Sequence, residues 1–441
     1  MAVEFKIQDF FYPREILGLK LCLDKSQWFT KEDLERFQIQ RLKIILNHAY
    51  NNVPYYRKLF DGLKLKVQGI KSIQDLTKIP PLSKKILKEN FASLTAQNAN
   101  QFSPRLCRTS GTSGEAAEFY HDRLSNSLEF CYYWRYWSWA GYRLGNPFAE
   151  FTLNHFLYKK TNDVMDYSPL TRRLMLNPAQ LSYEKIDLFI AALKKYQPQF
   201  LKGSPSSIYI FSHLLAHKDI LPVKFKAIFT TGEILLTHQR KKIEDTFNCK
   251  ILDSYGQMER VAAICQCPMG QYHINSDYGL LELTDGHALG TSLYSFAMPL
   301  IRYELGDTFK ISDDKAICSC GRGLPLCDAL IGRTQDIITT PDGRFLSNIF
   351  ILFDVLEGVL WSQLIQEENN RFKVKLVKDK NFSNDSFKIF MRQLHDLLGK
   401  ECIIEIEYLP ENNLPSLLSQ KYKPVISNIG WPEKGLAKAS N

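Results

Sequence analysis

The segment FKAIFTTGE (225–233) decides the fold, together with HQRKKIEDTF (238–247) and CKILDSYG (249–256), which follow it. The first and third segments predict short buried strands, and the middle segment predicts a helix. This order forms a β-α-β unit, which implies a mostly parallel sheet. We therefore predict an α/β protein whose ligand site lies at the carboxyl ends of the strands.

The sequence on either side of this unit predicts further domains. A chain of 441 residues has room for two or three domains. Near the N-terminus, Thr30 is a candidate N-cap for an amphipathic helix. Apolar residues then recur at helical spacing at Leu34, Phe37, Leu42, Ile45, Leu46 and Ala49. After the Pro80-Pro81 pair, short apolar runs alternate with helical patterns to about residue 335.

The tail predicts a separate, small α+β domain. Phe372, Val374 and Leu376 alternate as in a strand, and Gly399 stands where a helix C-cap belongs. The helical stripe and the next strand consist of Phe387, Phe390, Met391, Leu394, Leu397, Leu398, Ile403, Ile404 and Ile406. We expect residues 1–335 to form the large N-terminal domain and residues 336–441 the C-terminal domain.

Composition and charge exclude several classes of protein. Hydrophobic residues at 45% and charged residues at 23% are typical of a globular protein, not of a disordered or fibrous one. No apolar run approaches the roughly 20 residues of a membrane span, and the N-terminus has no secretory signal, so we expect a cytoplasmic protein. The net charge of +9 is dispersed apart from Lys84, Lys85 and Lys88, so we expect no nucleic-acid partner.

A Gly-rich segment is the sharpest local signal for ligand binding. Its residues are Thr109, Ser110, Gly111, Thr112, Ser113 and Gly114, followed by Glu115. Glycines allow close backbone approach, and successive N–H groups can form an anion-binding nest to which the hydroxyls add donors. The segment lacks the Gly-Lys pair of a P-loop. Taken alone, it fits either a phosphate site or a flexible surface turn.

Three later segments strengthen the phosphate interpretation. SYGQME (254–259) directly follows a predicted strand, RYELGD (302–307) supplies an aspartate suited to a ribose diol, and GRTQD (332–336) lies at the domain boundary. Each could be an ordinary turn. Their occurrence together in this order is much harder to obtain by chance.

The ordered set TSGTSG, TTGE, SYGQME, RYELGD, GRTQD and a C-terminal lysine resembles the adenylate-forming superfamily of acyl-coenzyme A ligases. AYNNVPYYRKLF and LKGSPSSIYIFSHLL (201–215) are similar to its phenylacetate-coenzyme A ligase branch, which includes CapK-like proteins. The resemblance implies a large N-terminal α/β domain and a small mobile C-terminal domain. It also implies a two-step reaction, in which a carboxylic acid reacts with ATP to give acyl-AMP and a thiol then accepts the acyl group.

The resemblance assigns roles to residues of this chain. Lys421 would contact the reacting carboxylate and α-phosphate, and Glu259 would help hold Mg²⁺. Tyr255 would stack on adenine, and Asp307 with Arg333 would bind the ribose. The complete implied nucleotide-binding set is Thr109, Ser110, Gly111, Thr112, Ser113, Gly114, Gly232, Glu233, Ser254, Tyr255, Gly256, Asp307 and Arg333.

Four departures from the family pattern keep alternatives open. Met258 replaces the usual threonine, Glu115 stands where many members have lysine, and Gln335 and Gln420 replace the hinge aspartate and a glycine. The acceptor is coenzyme A, a carrier-protein thiol or, in an amide ligase, an amine. The alternative to catalysis is a nucleotide-binding homologue in polysaccharide assembly. We expect a monomer or a homodimer.

The ten cysteines fall into two groups. Cys22, Cys107, Cys131, Cys249 and Cys402 are scattered and are predicted to be small buried hydrophobes. The others are Cys265, Cys267, Cys318, Cys320 and Cys327, and His273 lies among them. Thiolate and imidazole suit tetrahedral Zn²⁺, although Cys-x-Cys spacing also fits reduced cysteines in a tight loop. The similar CapK-like pattern selects Cys267, His273, Cys318 and Cys320 for a structural zinc, with Cys265 and Cys327 as substitutes.

The pocket for the acid is poorly defined by the sequence. Phe151, Asn154, His155 and Phe156 lie where similar enzymes begin this pocket. Aromatic residues follow the Gly-rich segment at Tyr132, Tyr133, Trp134, Tyr136 and Trp137. A ring-rich wall favours an aryl acid, but the core is the better interpretation for most of these rings.

Overall fold

The chain was examined as a computed structural model. The structure describes residues 13–108, 117–217, 224–284, 287–313, 316–331, 337–346, 349–378, 380, 382–410 and 423–429. Among the predicted site residues, Thr109, Ser110, Gly111, Thr112, Ser113, Gly114, Arg333 and Lys421 lie outside these ranges.

The α-helices are α1 Pro13–Ser26, α2 Lys31–Asn52, α3 Pro54–Gly62, α4 Lys84–Glu89, α5 Phe91–Leu94, α6 Arg123–Ser138, α7 Leu153–Lys159, α8 Ile186–Tyr196, α9 Pro205–His217, α10 Thr237–Phe247 and α11 Asn384–Leu398. The strands are β1 Arg105–Arg108, β2 Glu118–His121, β3 Phe148–Phe151, β4 Met165–Ser168, β5 Arg173–Leu176, β6 Phe200–Gly203, β7 Ala227–Thr231, β8 Ile251–Gly256, β9 Ala263–Gln266, β10 Tyr272–Ile274, β11 Gly279–Thr284, β12 His287–Ser292, β13 Tyr303–Glu304, β14 Thr308–Ile311, β15 Leu326–Ile331, β16 Ile338–Thr339, β17 Phe345–Leu346, β18 Val359–Glu368, β19 Arg371–Lys378, β20 Ile403–Leu409 and β21 Val425–Ser427.

A ten-stranded sheet organises the large domain, in the order β14-β15-β10-β9-β8-β7-β6-β3-β5-β4. The predicted β-α-β unit is confirmed, because β7 and β8 pair in parallel and α10 connects them. Strands β5, β3, β6, β7 and β8 form a parallel half. The expectation of a mostly parallel sheet is wrong in extent, because β4 at one edge and β9, β10, β15 and β14 at the other pair antiparallel.

Local signals in the N-terminal helix act as the sequence predicts. The Thr30 hydroxyl accepts a hydrogen bond from the Asp33 amide at 3.2 Å, which caps α2. Leu42, Ile45 and Leu46 on its apolar face are buried in the main hydrophobic core. The same core continues into α6 and into one face of the large sheet.

The C-terminal strands form a sheet of their own, in the order β20-β19-β18-β21. Helix α11 ends at Gly399, which has a φ of +120° and donates its N–H to the His395 carbonyl at 2.9 Å. Phe390, Leu394 and Leu398 of α11 are buried against this sheet. The core also includes Leu153 of α7, which joins the two parts of the chain through apolar contacts.

No helix in the described part of the chain combines the length and the apolar character that a membrane span requires.

Candidate nucleotide site and metal centre

The carboxyl ends of β7 and β8 present two of the predicted motifs side by side. Gly232 follows β7 with a φ of +85°, a conformation that a residue with a Cβ would adopt only under strain. The Ser254 hydroxyl of β8 donates to the Thr230 carbonyl at 2.9 Å and joins the two strand ends. The parallel register therefore brings segments that are distant in the sequence to one edge.

Tyr255 and Asp307 are in direct contact, although 52 positions separate them. The Tyr255 hydroxyl donates to Asp307 Oδ2 at 2.8 Å, and its ring meets Phe309 edge to face with centroids 4.8 Å apart. Both side chains are half-buried, so a ligand can reach them. The structure thus brings together the residues that the resemblance assigns to adenine and ribose.

Glu259 lies next to this pair along the chain and is buried. Its Oε1 accepts a hydrogen bond from the Tyr303 hydroxyl at 2.9 Å. Tyr303 is itself completely buried, and burial together with the Glu259 charge raises the pKa of this phenol, which therefore remains a donor. The carboxylate proposed for Mg²⁺ is accordingly held in one orientation.

Glu233 contacts the start of α9. Its carboxylate accepts hydrogen bonds from the Ser206 amide at 3.1 Å and the Ser206 hydroxyl at 2.8 Å. A carboxylate is stabilised at a helix N-terminus because it satisfies unpaired N–H groups and complements the helix dipole. This contact fixes the loop after β7, in which Gly232 also lies.

Strands β1 and β2 flank the Gly-rich segment and form an antiparallel pair in which Arg108 faces Glu118. His121 ends β2 and is buried, with its Nε2 2.6 Å from the Met258 carbonyl oxygen. Its Nδ1 lies 3.0 Å from Cys107 Sγ. Burial, followed by the charge of Arg260, lowers the pKa of His121 to about 3, so the ring is neutral.

Sequence reasoning missed His121. The ring joins the end of β2 to the SYGQME segment, so it fixes the position of that strand end relative to this motif. Its position just after the Gly-rich segment was the only available signal.

The predicted metal ligands Cys267, His273, Cys318 and Cys320 come together at the antiparallel half of the sheet. Their ligand atoms all lie within 4.8 Å of one another. Cys267 Sγ and Cys318 Sγ are 3.6 Å apart, and Cys320 Sγ lies 3.3 Å from His273 Nε2. Zn–S bonds of about 2.3 Å in a tetrahedron separate two sulfurs by about 3.8 Å, so the donor set fits zinc.

The surroundings also suit a metal. His273 Nδ1 lies 3.2 Å from the Leu324 carbonyl oxygen, which selects the tautomer with Nε2 as the ligand atom. The proposed substitutes lie elsewhere. Cys265 Sγ accepts from Asn275 Nδ2 at 3.1 Å, and Cys327 Sγ donates to the Ala329 carbonyl at 3.3 Å.

The residues expected around the acid pocket differ in burial and in their contacts. Phe151 and Phe156 are core residues, whereas Asn154 is exposed. His155 Nε2 lies 2.8 Å from Asp166 Oδ2. On α6, Tyr132, Tyr136 and Trp137 are buried, whereas Tyr133 and Trp134 keep accessible surface. The core interpretation therefore holds for most of the rings.

Solved structures with a similar fold are adenylate-forming enzymes. The chain superposes on 2-hydroxyisobutyryl-CoA ligase in complex with 2-HIB-AMP and CoA in the thioesterification state, with a TM-score of 0.57. That match has 15% sequence identity and covers 92% of each chain. The same ligase in the postadenylation state, in complex with R3-HIB-AMP, gives a TM-score of 0.55 at 16% identity, over 92% of this chain and 91% of the other. The fold is therefore that of the adenylate-forming acyl-CoA ligases.

Sequence comparisons identify the branch. The chain is 34% identical over 342 residues to phenylacetate-coenzyme A ligase of Escherichia coli (strain K12), covering 72% of this chain and 75% of that enzyme. It is 23% identical over 434 residues to protein CapK of Staphylococcus aureus, covering 95% and 92% of the two chains. The sequence model of the CapK C-terminal domain matches residues 338–428. The chain belongs to the phenylacetate-coenzyme A ligase family of AMP-forming ligases.

Proposed function

We propose that this protein activates a carboxylic acid with ATP and transfers the acyl group to the thiol of coenzyme A. The observation that carries the proposal is the Tyr255–Asp307 contact at the carboxyl edge of the parallel strands, with the buried Glu259 close by in sequence. This edge is the usual ligand site of an α/β sheet. Family membership supports the same chemistry.

The first half-reaction forms a mixed anhydride. A carboxylate oxygen of the acid attacks the α-phosphorus of ATP, the bond to the β-phosphate oxygen breaks, and pyrophosphate leaves. Asp307 would accept hydrogen bonds from the ribose hydroxyls, and the Tyr255 ring would cover the adenine. Glu259 would hold Mg²⁺, which supplies charge neutralisation at the phosphates when bound. Lys421 would donate to the reacting oxygens.

The second half-reaction uses the thiol of coenzyme A. Its sulfur attacks the acyl carbon, loses its proton and displaces AMP, which gives a thioester. We propose the cytoplasm as the location because ATP and coenzyme A are both available there. An aryl acid remains the proposed substrate type, because Tyr133 and Trp134 supply accessible rings.

Pyrophosphate exchange with a panel of aryl and aliphatic acids tests the first step, and AMP release with coenzyme A tests the second. Asp307→Ala should weaken ATP binding by about 10-fold or more, because hydrogen bonds to a charged group are lost. Asp313→Ala, in a loop outside the site, is the control. Tight ATP binding without exchange for any acid would instead support the non-catalytic alternative, and product formation only with amines would support an amide ligase.

We also propose a structural Zn²⁺ held by Cys267, His273, Cys318 and Cys320. Support comes from the mutual approach of the four ligand atoms and from the imidazole orientation set by Leu324. Protein side chains would fill all four positions, so the ion would tie the 318–320 turn to β10 without taking part in the reaction.

A further inference from the structure

A polar row crosses the parallel half of the large sheet on the face that α6 covers. Glu150 of β3 is the register partner of Lys202 of β6, and Thr231 of β7 is the partner of Ser254 of β8. All four positions lie at or near the carboxyl ends of their strands. The row therefore borders the edge at which Tyr255 lies.

Lys202 is a buried cation with few acceptors. Its Nζ donates to Glu150 Oε1 at 2.8 Å, and the exposed fractions of the two side chains are 5% and 4%. Arg173 also contacts Glu150. An ammonium group has three donor protons, and within the described part of the chain Glu150 is its only hydrogen-bond acceptor. Desolvating such a pair is expensive, so stability alone does not explain it.

Helix α6 supplies the opposite wall. Tyr133 lies with its ring centre 5.0 Å from Lys202 Nζ, and the Trp137 ring centre lies 5.8 Å away. Burial, then the Glu129 charge, raises the pKa of the Tyr133 phenol, although the residue keeps accessible surface. The half-buried Tyr133 ring therefore brings accessible surface to within contact distance of the Lys202 ammonium.

Helix α6 also carries unsatisfied donors. Among the described residues, neither Trp137 Nε1 nor Asn126 Nδ2, both on α6, has a hydrogen-bond partner, and both side chains are more than nine-tenths buried. Buried donors normally have acceptors. The Trp137 ring is the one that lies near Lys202 Nζ, so its donor and the ammonium together favour a ligand that brings oxygen lone pairs.

We propose that Lys202, positioned by Glu150, binds an oxygen substituent of the acid at the end remote from the activated carboxylate. This inference rests on the proposed function and defines its substrate class as acids that carry a hydroxyl or a second carboxylate. Lys202 and Arg173 together exceed the charge of Glu150, so the row attracts oxygen atoms. A hydrocarbon end would leave the ammonium protons that do not reach Glu150 without an acceptor, which is costly in a buried site.

Two matched series of acids test the proposal on the wild-type protein. The aryl series is phenylacetate, 4-hydroxyphenylacetate and 4-carboxyphenylacetate, and the aliphatic series is hexanoate, 6-hydroxyhexanoate and adipate. We expect kcat/KM for pyrophosphate exchange to favour an oxygenated member of one series by about 10²-fold or more. The preferred member distinguishes a hydroxyl from a carboxylate. Equal rates within both series would overturn the role of Lys202 while leaving acid activation intact.

The variant Lys202→Met keeps the length of the side chain and removes the ammonium. The ratio of oxygenated to hydrocarbon acid should fall to within about threefold of unity, with no change in ATP affinity by calorimetry. Lys226→Met, an exposed lysine just before β7, should keep the wild-type ratio. If Lys202→Met does not fold, the neutral pair Glu150→Gln with Lys202→Met replaces it. A preserved ratio would contradict the proposal, whereas failure of every acid in the wild-type protein would overturn the proposed function itself.

Discussion

The two halves of the large sheet carry two different kinds of polar cluster. The antiparallel half carries the buried Cys267, His273 and Cys318 and the half-buried Cys320, whose ligand atoms lie within 4.8 Å of one another. The parallel half carries Tyr255, whose hydroxyl contacts Asp307, and the Lys202 row along its carboxyl edge. Antiparallel hairpins bring side chains into a closed cluster, whereas parallel strands align their ends along an edge that can receive a ligand. The first cluster is therefore suited to stability and the second to chemistry.

The largest effect on stability is expected from a substitution in the cysteine-histidine cluster of the antiparallel half. Cys318→Ser should release the metal and lower the free energy of unfolding by about 5 kcal/mol, because metal binding contributes directly to folding. Elemental analysis should find about one Zn per wild-type chain and much less in the variant, and urea unfolding measures the stability. Cys327→Ser, a buried cysteine outside the cluster, should retain the metal. A metal-free wild-type protein of unchanged stability would refute the site.

The second effect concerns pH and the carboxyl edge. The pKa of His121 is lowered from its ordinary 6.5 to about 3, so the unfolded chain binds more protons between these values. The contribution of His121 to the free energy of unfolding should be fully present above pH 6.5. It should decline by roughly 4 kcal/mol as the pH falls toward 3. Urea midpoints across this range should fall less steeply in His121→Gln. His395→Gln, on α11, should keep the wild-type slope, and identical slopes in all three proteins would contradict the prediction.

The third effect separates chemistry from stability. Lys421→Ala should lower pyrophosphate exchange by about 10²-fold, because one charge-stabilising donor is lost, and should leave ATP affinity nearly unchanged. Thioester formation from synthetic acyl-AMP should persist, since we expect the C-terminal domain to rotate between the half-reactions. Lys423→Ala is the matched control. A defect in Lys423→Ala alone would assign the catalytic role to Lys423, two residues further along the chain, instead of to Lys421.

The smallest effect refines the role of Glu259. Tyr303→Phe removes the hydroxyl that orients the Glu259 carboxylate, at a cost of about 1 kcal/mol. The Mg²⁺ concentration for half-maximal exchange should rise about fivefold, while the affinity for the acid stays the same. Tyr272→Phe is the control, because the Tyr272 hydroxyl that it removes donates to Asp253 and not to Glu259. An unchanged Mg²⁺ requirement would show that Tyr303 has only a structural role.

Local patterns in the sequence predicted much of the fold. Thr30 caps α2, Gly399 ends α11, and the strands at 227–231 and 251–256 lie where short apolar runs and turn residues place them. The antiparallel flanks of the sheet were missed because strand direction depends on pairing partners distant in the sequence. The pattern of a short apolar strand is the same in either direction.

The candidate site divides in the same way. The candidate metal-ligand set followed from two short segments rich in cysteine and from their similarity to the CapK-like pattern, which selected four residues among six. Glu150, Lys202 and His121 gave no such signal, since a single polar residue within an apolar run could equally mark a strand end or a turn.

The sequence by itself determined the motif order, the domain types and the residue types available for nucleotide and metal binding. These properties depend on local spacing and on chemistry that side chains carry wherever they lie. Only the tertiary structure decided that Tyr255 contacts Asp307 and that Lys202 is buried against Glu150 and Tyr133. Such contacts follow from strand register and helix packing, which result from the cooperative burial of the whole core.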